Sequence, residues 1–223
     1  MKTIWIAGAT GLVGQSLVQR LSTSTAHTVV AFVRKRSAIE GSTQVVVDFD
    51  HLENADVGSL RPDEAFCALG TTRKVAGSDE AFRRVDLDYV VAFAKRAKAA
   101  GAHKFVLISS LGADASSSML YARTKGEAEE AVRALGFATV VVVRPSVLDG
   151  DRKESRPGEA VALAIGRVIA PLMVGPLRKY RPSPVDEVAR AAIVALRESE
   201  KDGRSFRICE AEELPSLARN YHH

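Results

Sequence analysis

Tyr121 and Lys125 stand four residues apart in MLYARTKGEAEEAV, residues 119 to 132. In a helix that spacing brings two side chains to one face, a turn apart. A phenol and an ammonium so placed are suited to proton transfer. A free tyrosine, with a pKa of about 10, is a poor base, and a neighbouring ammonium favours its phenolate. The same pair on a solvated helix face would do nothing. What precedes it in the chain decides between the two readings.

Ser109 and Ser110 end the apolar run KFVLISS, about eleven residues before Tyr121. A serine hydroxyl there can hydrogen-bond a carbonyl oxygen and polarise it. Either serine could hold that role, and Ser110 is the choice here. Hydride delivered to a carbonyl carbon leaves an alkoxide that needs a proton, which Tyr121 could give. Ser110, Tyr121 and Lys125 are therefore the candidate catalytic residues.

Elements that would position these groups are legible from periodicity. TIWIA, HTVVAFV, QVVVDF, EAFCAL, KFVLISS and ATVVVVR are short runs rich in Val and Ile, apolar on both faces. Strands of a parallel sheet covered on both sides have that character. Helical patterns lie between them: LVGQSLVQRL, DEAFRRVDLDYVVAFAKRAKAAG with Gly101 as its stop, and the Tyr121 segment. The alternation predicts a Rossmann-like doubly wound α/β sheet with right-handed crossovers. After Pro145 the pattern changes to a charged loop, SVLDGDRKESRPGE. Two helices, EAVALAIGRVIAPLM and PVDEVARAAIVALRES, and a short strand, RSFRIC, follow it. The expected organisation is one domain over 1–223, with a dinucleotide-binding core at 1–145. A small C-terminal addition at 146–223 lies on the substrate side.

Gly8, Gly11 and Gly14 punctuate GATGLVG, between the first strand and the first helix. A glycine turn there lets the backbone approach a pyrophosphate, and the helix start offers free N–H groups and a favourable dipole. Thr10, Leu12 and Val13 belong to the same cradle. About twenty residues beyond Gly14, NAD enzymes carry an acid for the ribose 2′-hydroxyl. Here the position reads FVRKR. A guanidinium can instead hold the extra phosphate of NADPH, which makes Arg34 the candidate, with Lys35 and Arg36 as auxiliaries. Asp48, at the end of the third strand, could accept from the adenine amino group or simply cap a turn.

Ser, then Tyr-x-x-x-Lys, behind a GxxGxxG turn resembles the short-chain dehydrogenase/reductase superfamily. Longer runs, FCALGTTRKVAGSDEAFRRVDLDYV, ISSLGAD, YARTKGEAE and DRKESRPGE, resemble the atypical reductases grouped with Tat-interactive protein 2. That resemblance implies NADPH as cofactor and Tyr121 as proton carrier; Tyr121 and Lys125 are also candidate cofactor-binding residues, with the Lys125 head reaching the nicotinamide ribose. It also implies that Leu69 and Gly70 lie along the cofactor, with Leu148 and Arg156 bordering it after the sixth strand. ALGTT stands where better-known members of the superfamily carry an Asn-Ala-Gly turn. The loop from Asp151 to Glu159 would start at the same sheet edge, and its cationic cluster suggests that Arg156 closes over the cofactor.

Composition narrows the classes. Lys and Arg number 31 against 27 Asp and Glu, but they are interspersed rather than gathered in a stripe, which argues against nucleic acid as partner. No apolar run reaches membrane-spanning length. The N-terminal residues run straight into the glycine motif without a small-residue cleavage site, so no signal peptide is expected. Cys67 and Cys209, the two cysteines, make neither a disulfide framework nor a metal site, and a reducing cytoplasm fits. The reading is a cytoplasmic NADPH-dependent oxidoreductase acting on a small carbonyl substrate. The alternatives are an NADPH-binding redox sensor acting through a protein partner, and a nucleotide-sugar epimerase.

Overall fold

The computed structural model describes residues 1–150 and 175–222. Strands β1 (Lys2–Ala7), β2 (His27–Val33), β3 (Thr43–Val46), β4 (Glu64–Cys67), β5 (Lys104–Ile108) and β6 (Thr139–Arg144) are those expected from the apolar runs. A two-residue ladder joins β7 (Leu148–Asp149) to β8 (Ser183–Pro184), and β9 (Phe206–Glu210) comes last. Seven strands form one sheet in the order β3-β2-β1-β4-β5-β6-β9, with every pair parallel. The order reverses between β1 and β4, which makes the crevice past their carboxyl ends the expected ligand site of an open α/β sheet.

Strand alternation assigns the two cores. Ile4, Ile6, Val29, Ala31, Val106, Ile108, Val141 and Val143 face one side. There they meet α1 (Leu12–Leu21), α6 (Val185–Lys201) and α7 (Leu214–Arg219). Trp5, Ala7, Val30, Phe32, Phe105, Leu107, Val140 and Val142 face the other. Their partners are α4 (Tyr89–Ala99) and α5 (Leu120–Ala134). Successive residues of a strand point to opposite faces, so continuous Val/Ile runs serve both layers. On the second face Trp5, Phe32, Phe93, Phe105 and Phe137 stand in a chain of ring contacts, with centroids 4.7, 5.3, 6.1 and 5.1 Å apart. Such pairs add about 0.5–1.5 kcal/mol each beyond the area they bury.

Some details differ from the periodic reading. The third strand stops at Val46, and Asp48 then caps a 3-10 turn over Phe49–Asn54 through a bond from the Asp50 N–H. The long helical pattern from Asp79 is α3 (Asp79–Arg83), a π-turn (Arg84–Asp88) and α4 in succession. It ends at Gly101, with φ +111°. A short helix, α2 (Arg73–Ala76), sits before it, capped by Thr72. The C-terminal strand is not set apart from the core: β9 adds to β6 in the same sheet, and α6 is buried with α1. The expected helix at 159–173 and the loop from Asp151 to Glu159 lie outside the described residues.

Candidate active site

Gly8 follows β1 with φ +80°, a left-handed conformation that only glycine adopts freely. A Cβ there would lie 2.4 Å from the Ala68 carbonyl carbon, so the turns after β1 and β4 touch where the sheet order reverses. The Gly11 N–H donates to Gly8 O at 2.9 Å. Gly11 is the N-cap of α1 and supplies no side-chain cap. A Cβ on Gly14 would lie 2.1 Å from Gly8 O, so the first turn of α1 packs straight onto the glycine turn. Thr10 and Gly11 are exposed, Leu12 is half-buried and Val13 is buried. The Val13 side chain belongs to the core, leaving its backbone as what it can offer a ligand. An uncapped helix start behind a turn that tolerates no Cβ fits a pyrophosphate.

The parallel register pairs Ala7 with Phe32, so Arg34, one residue past β2, reaches the same edge as the glycine turn. Arg34 and Lys35 are exposed and form no ion pair with another described residue. Asp48 is exposed, and its Oδ1 accepts from the Asp50 N–H. Leu69 and Gly70 follow β4 beside the glycine turn, half-buried and exposed respectively. Leu148 lies in β7, packed against the first core. Arg156 lies outside the described residues.

The two serines separate clearly. Ser109 is buried and donates its hydroxyl hydrogen to Glu129 Oε1. Arg144 holds that carboxylate through Nε at 3.0 Å and a terminal nitrogen at 2.6 Å. Ser110 is half-buried, and its Oγ has only a weak contact at 3.5 Å to Leu111 O. Ser110 is thus the serine free to meet a ligand. Neither Glu129 nor Arg144 stands out in the sequence, although Glu129 lies one helical turn past Lys125 on the buried side of α5.

Tyr121 and Lys125 share one face of α5 but have opposite surroundings. Tyr121 is 45% exposed, and its ring stacks on buried Phe82 with centroids 5.7 Å apart. Lys125 is 6% exposed and its Nζ lies 2.7 Å from Asp86 Oδ1. Burial pushes the Lys125 pKa down, but the charges of Asp86 and Tyr121 outweigh it, and the group ends above the usual lysine value. Gly126 lets the loop after β5 close on the helix: a Cβ there would lie 2.1 Å from the Ala115 nitrogen. Gly126→Ala should therefore lower stability by about 1–3 kcal/mol in denaturant unfolding. An exposed helical Gly→Ala change would instead raise it by about 1 kcal/mol.

Among the described residues, no group of His, Cys, Asp and Glu could hold a metal ion, and both cysteines are free and buried. No described helix is long and apolar enough to cross a membrane.

A sequence family described as NAD(P)H-binding matches residues 8–164. The chain belongs to that family. This NAD(P)H-binding protein is 43% identical over 167 residues to Protein HTATIP2 of Rattus norvegicus, covering 72% of this chain and 69% of the relative. It is 36% identical over 225 residues to Protein FMP52-1, mitochondrial, of Scheffersomyces stipitis, covering 96% and 97%. These matches place it with the HTATIP2-like atypical short-chain dehydrogenases/reductases. In fold, the NAD(P)H-binding protein is similar to a UDP-galactose 4-epimerase at TM-score 0.69 and 15% identity, covering 92% of this chain and 75% of that one. It is also similar to MoeE5 in complex with UDP-glucose and NAD at TM-score 0.66 and 18% identity, covering 97% and 80%.

Proposed function

We propose that this protein is an NADPH-dependent reductase of a small carbonyl compound. The observation that carries the reading is the Tyr121–Lys125 pair on one face of α5, an open phenol beside a buried ammonium, with Ser110 just past the carboxyl end of β5. Ser110 is unengaged, Tyr121 is open to solvent, and Lys125 is buried and charged beneath it. When bound, the reduced nicotinamide supplies the hydride that adds to the carbonyl carbon. The Ser110 hydroxyl donates a hydrogen bond to the carbonyl oxygen and polarises it. The Tyr121 hydroxyl gives its proton to the oxygen as negative charge develops there. The Lys125 ammonium, one turn along α5, offsets the phenolate that remains. Glycine-turn N–H groups and the start of α1 would hold the pyrophosphate, and Gly70 and Leu69 would lie along the nicotinamide half.

Purified protein should oxidise NADPH when given members of a panel of aldehydes, ketones and quinones. No turnover with any of them, together with tight NADPH binding, would favour a redox sensor acting through a protein partner.

Arg34 carries the cofactor preference in this reading, with Lys35 beside it. A guanidinium on the 2′-phosphate should make NADPH bind more tightly than NADH by roughly 1.5–3 kcal/mol, nearer the lower figure because Arg34 is exposed. Arg34→Ala should remove most of that difference and leave NADH affinity nearly unchanged in calorimetric titrations. Equal affinities in the unmodified protein would remove Arg34 from this role.

We assign the activity to the cytoplasm, where buried free thiols stay reduced. The fungal relatives are named mitochondrial, and cell fractionation separates the two.

A further inference from the structure

The helix run between β4 and β5 buries Phe82, Val90, Phe93 and Ala97, and among them Asp86, which has no exposed surface. A carboxylate on such a face is costly unless its charge is met. Positions 82, 86 and 90 step by four, and each such step drifts by about 40° in an α-helix. The wider turn at Arg84–Asp88 takes up that drift. Turns of this type interrupt helices frequently at functional sites.

The two oxygens of Asp86 have different partners. The Thr71 N–H donates to Oδ2 at 2.8 Å. Oδ1 lies 2.7 Å from Lys125 Nζ, the distance of a charge-assisted ion pair. Gly70 stands beside both: a Cβ there would lie 3.4 Å from Oδ1 and 3.5 Å from Nζ. The β4 loop, the π-turn and α5 therefore converge on one buried ion pair beneath Tyr121.

We propose that Asp86 is a positioning residue for the proton-transfer pair, holding the Lys125 head in place and keeping it an ammonium where water is excluded. The proposal rests on the reading of Tyr121 and Lys125 given above. The other titratable groups facing the ammonium are Tyr121 on α5 and the Cys67 thiol at the end of β4. Burial pushes the thiol up to about 12, so it brings no charge near neutrality. Asp86 is then the resident negative charge that opposes desolvation of Lys125. Without it the amine would shed its proton at lower pH, and the phenolate left on Tyr121 would face a neutral partner.

Lysine labelled with 13C, with the Lys125 signal assigned by Lys125→Met, allows this to be read by NMR titration of the protein without cofactor. In the unmodified chain Lys125 should remain protonated beyond the ordinary lysine value of about 10.4. In Asp86→Asn, which keeps the shape and an acceptor for the Thr71 N–H, it should titrate about two units lower or more. The kcat profile of that variant should then fall off at a correspondingly lower pH.

Coincident Lys125 titrations in the two proteins would overturn the proposal, as would a shifted titration with an unmoved kcat profile. So would a Lys125 in the unmodified chain that titrates at or below the ordinary value, and this arm holds even if Asp86→Asn does not fold. The titration uses neither substrate nor cofactor. Failure of the catalytic reading itself would show separately, as undiminished turnover in Tyr121→Phe.

Discussion

Tyr121→Phe should bind NADPH as the unmodified protein does and turn over a genuine substrate about a hundredfold more slowly, or worse, because a general acid contributes on that scale. The structure makes this a clean substitution. The Tyr121 ring stacks on Phe82 with its planes 23° apart, and phenylalanine keeps that contact. Nearly half the side chain is exposed, so removing the hydroxyl leaves no buried polar partner unpaired. A fall in kcat with unchanged Kd for NADPH therefore reports the lost proton rather than a disturbed fold. Lys125→Ala should differ: it leaves Asp86 buried without its counter-charge, so stability and turnover should fall together. Unchanged kcat in Tyr121→Phe would mean that the proton comes from elsewhere.

Gly14→Ala is expected to abolish measurable cofactor binding and to lower stability by about 1–3 kcal/mol, the scale of overpacking a tight contact. Alanine is the better helix former by about 1 kcal/mol, which on an open helix face would make this change stabilising. Here the added Cβ would sit 2.1 Å from Gly8 O and 2.7 Å from Gly8 C. Both are backbone atoms, and no side chain can swing aside to make room. Either α1 withdraws from the turn or the turn itself shifts, and both dismantle the surface that would face the pyrophosphate. Gly11→Ala is the control, since its nearest contact would be Gly8 O at 3.3 Å; it should unfold near the unmodified midpoint. Thermal unfolding and calorimetric titration with NADPH check both variants. Equal NADPH affinity in Gly14→Ala and the unmodified protein would remove the glycine turn from the cofactor site.

Much of the site was legible because its signals are local. The glycines at 8, 11 and 14 mark a turn whatever packs around it, and Tyr121 and Lys125 share a helix face through spacing alone. Val/Ile runs divided by helical patterns predicted a doubly wound parallel sheet, and the seven parallel strands bear that out. Boundaries were less legible where a cap competes with a strand. QVVVDF reads as β throughout, yet β3 ends at Val46: the Val47 N–H still donates to Val33 O, and the Asp48 carboxylate then accepts from the Asp50 N–H and turns the chain.

What the sequence by itself determined is which residues alternate, which turn tightly and which share a face, since these follow from periods of 2 and 3.6 residues. Tertiary structure decided the partners. Two adjacent serines looked interchangeable until Glu129, 20 residues from Ser109 and gripped by Arg144, engaged the first and left the second free. Asp86 read as one acid among several in RRVDLDY, and only the packing of the π-turn against α5 sets it beside Lys125. Val13 counted with the cradle by position, yet its side chain is buried under the sheet. The C-terminal strand read as an addition, and its pairing with β6 makes it the seventh strand of the main sheet. Periodicity records which way a side chain faces along its own element. Its partner is set by chain closure over tens of residues, which local pattern does not encode.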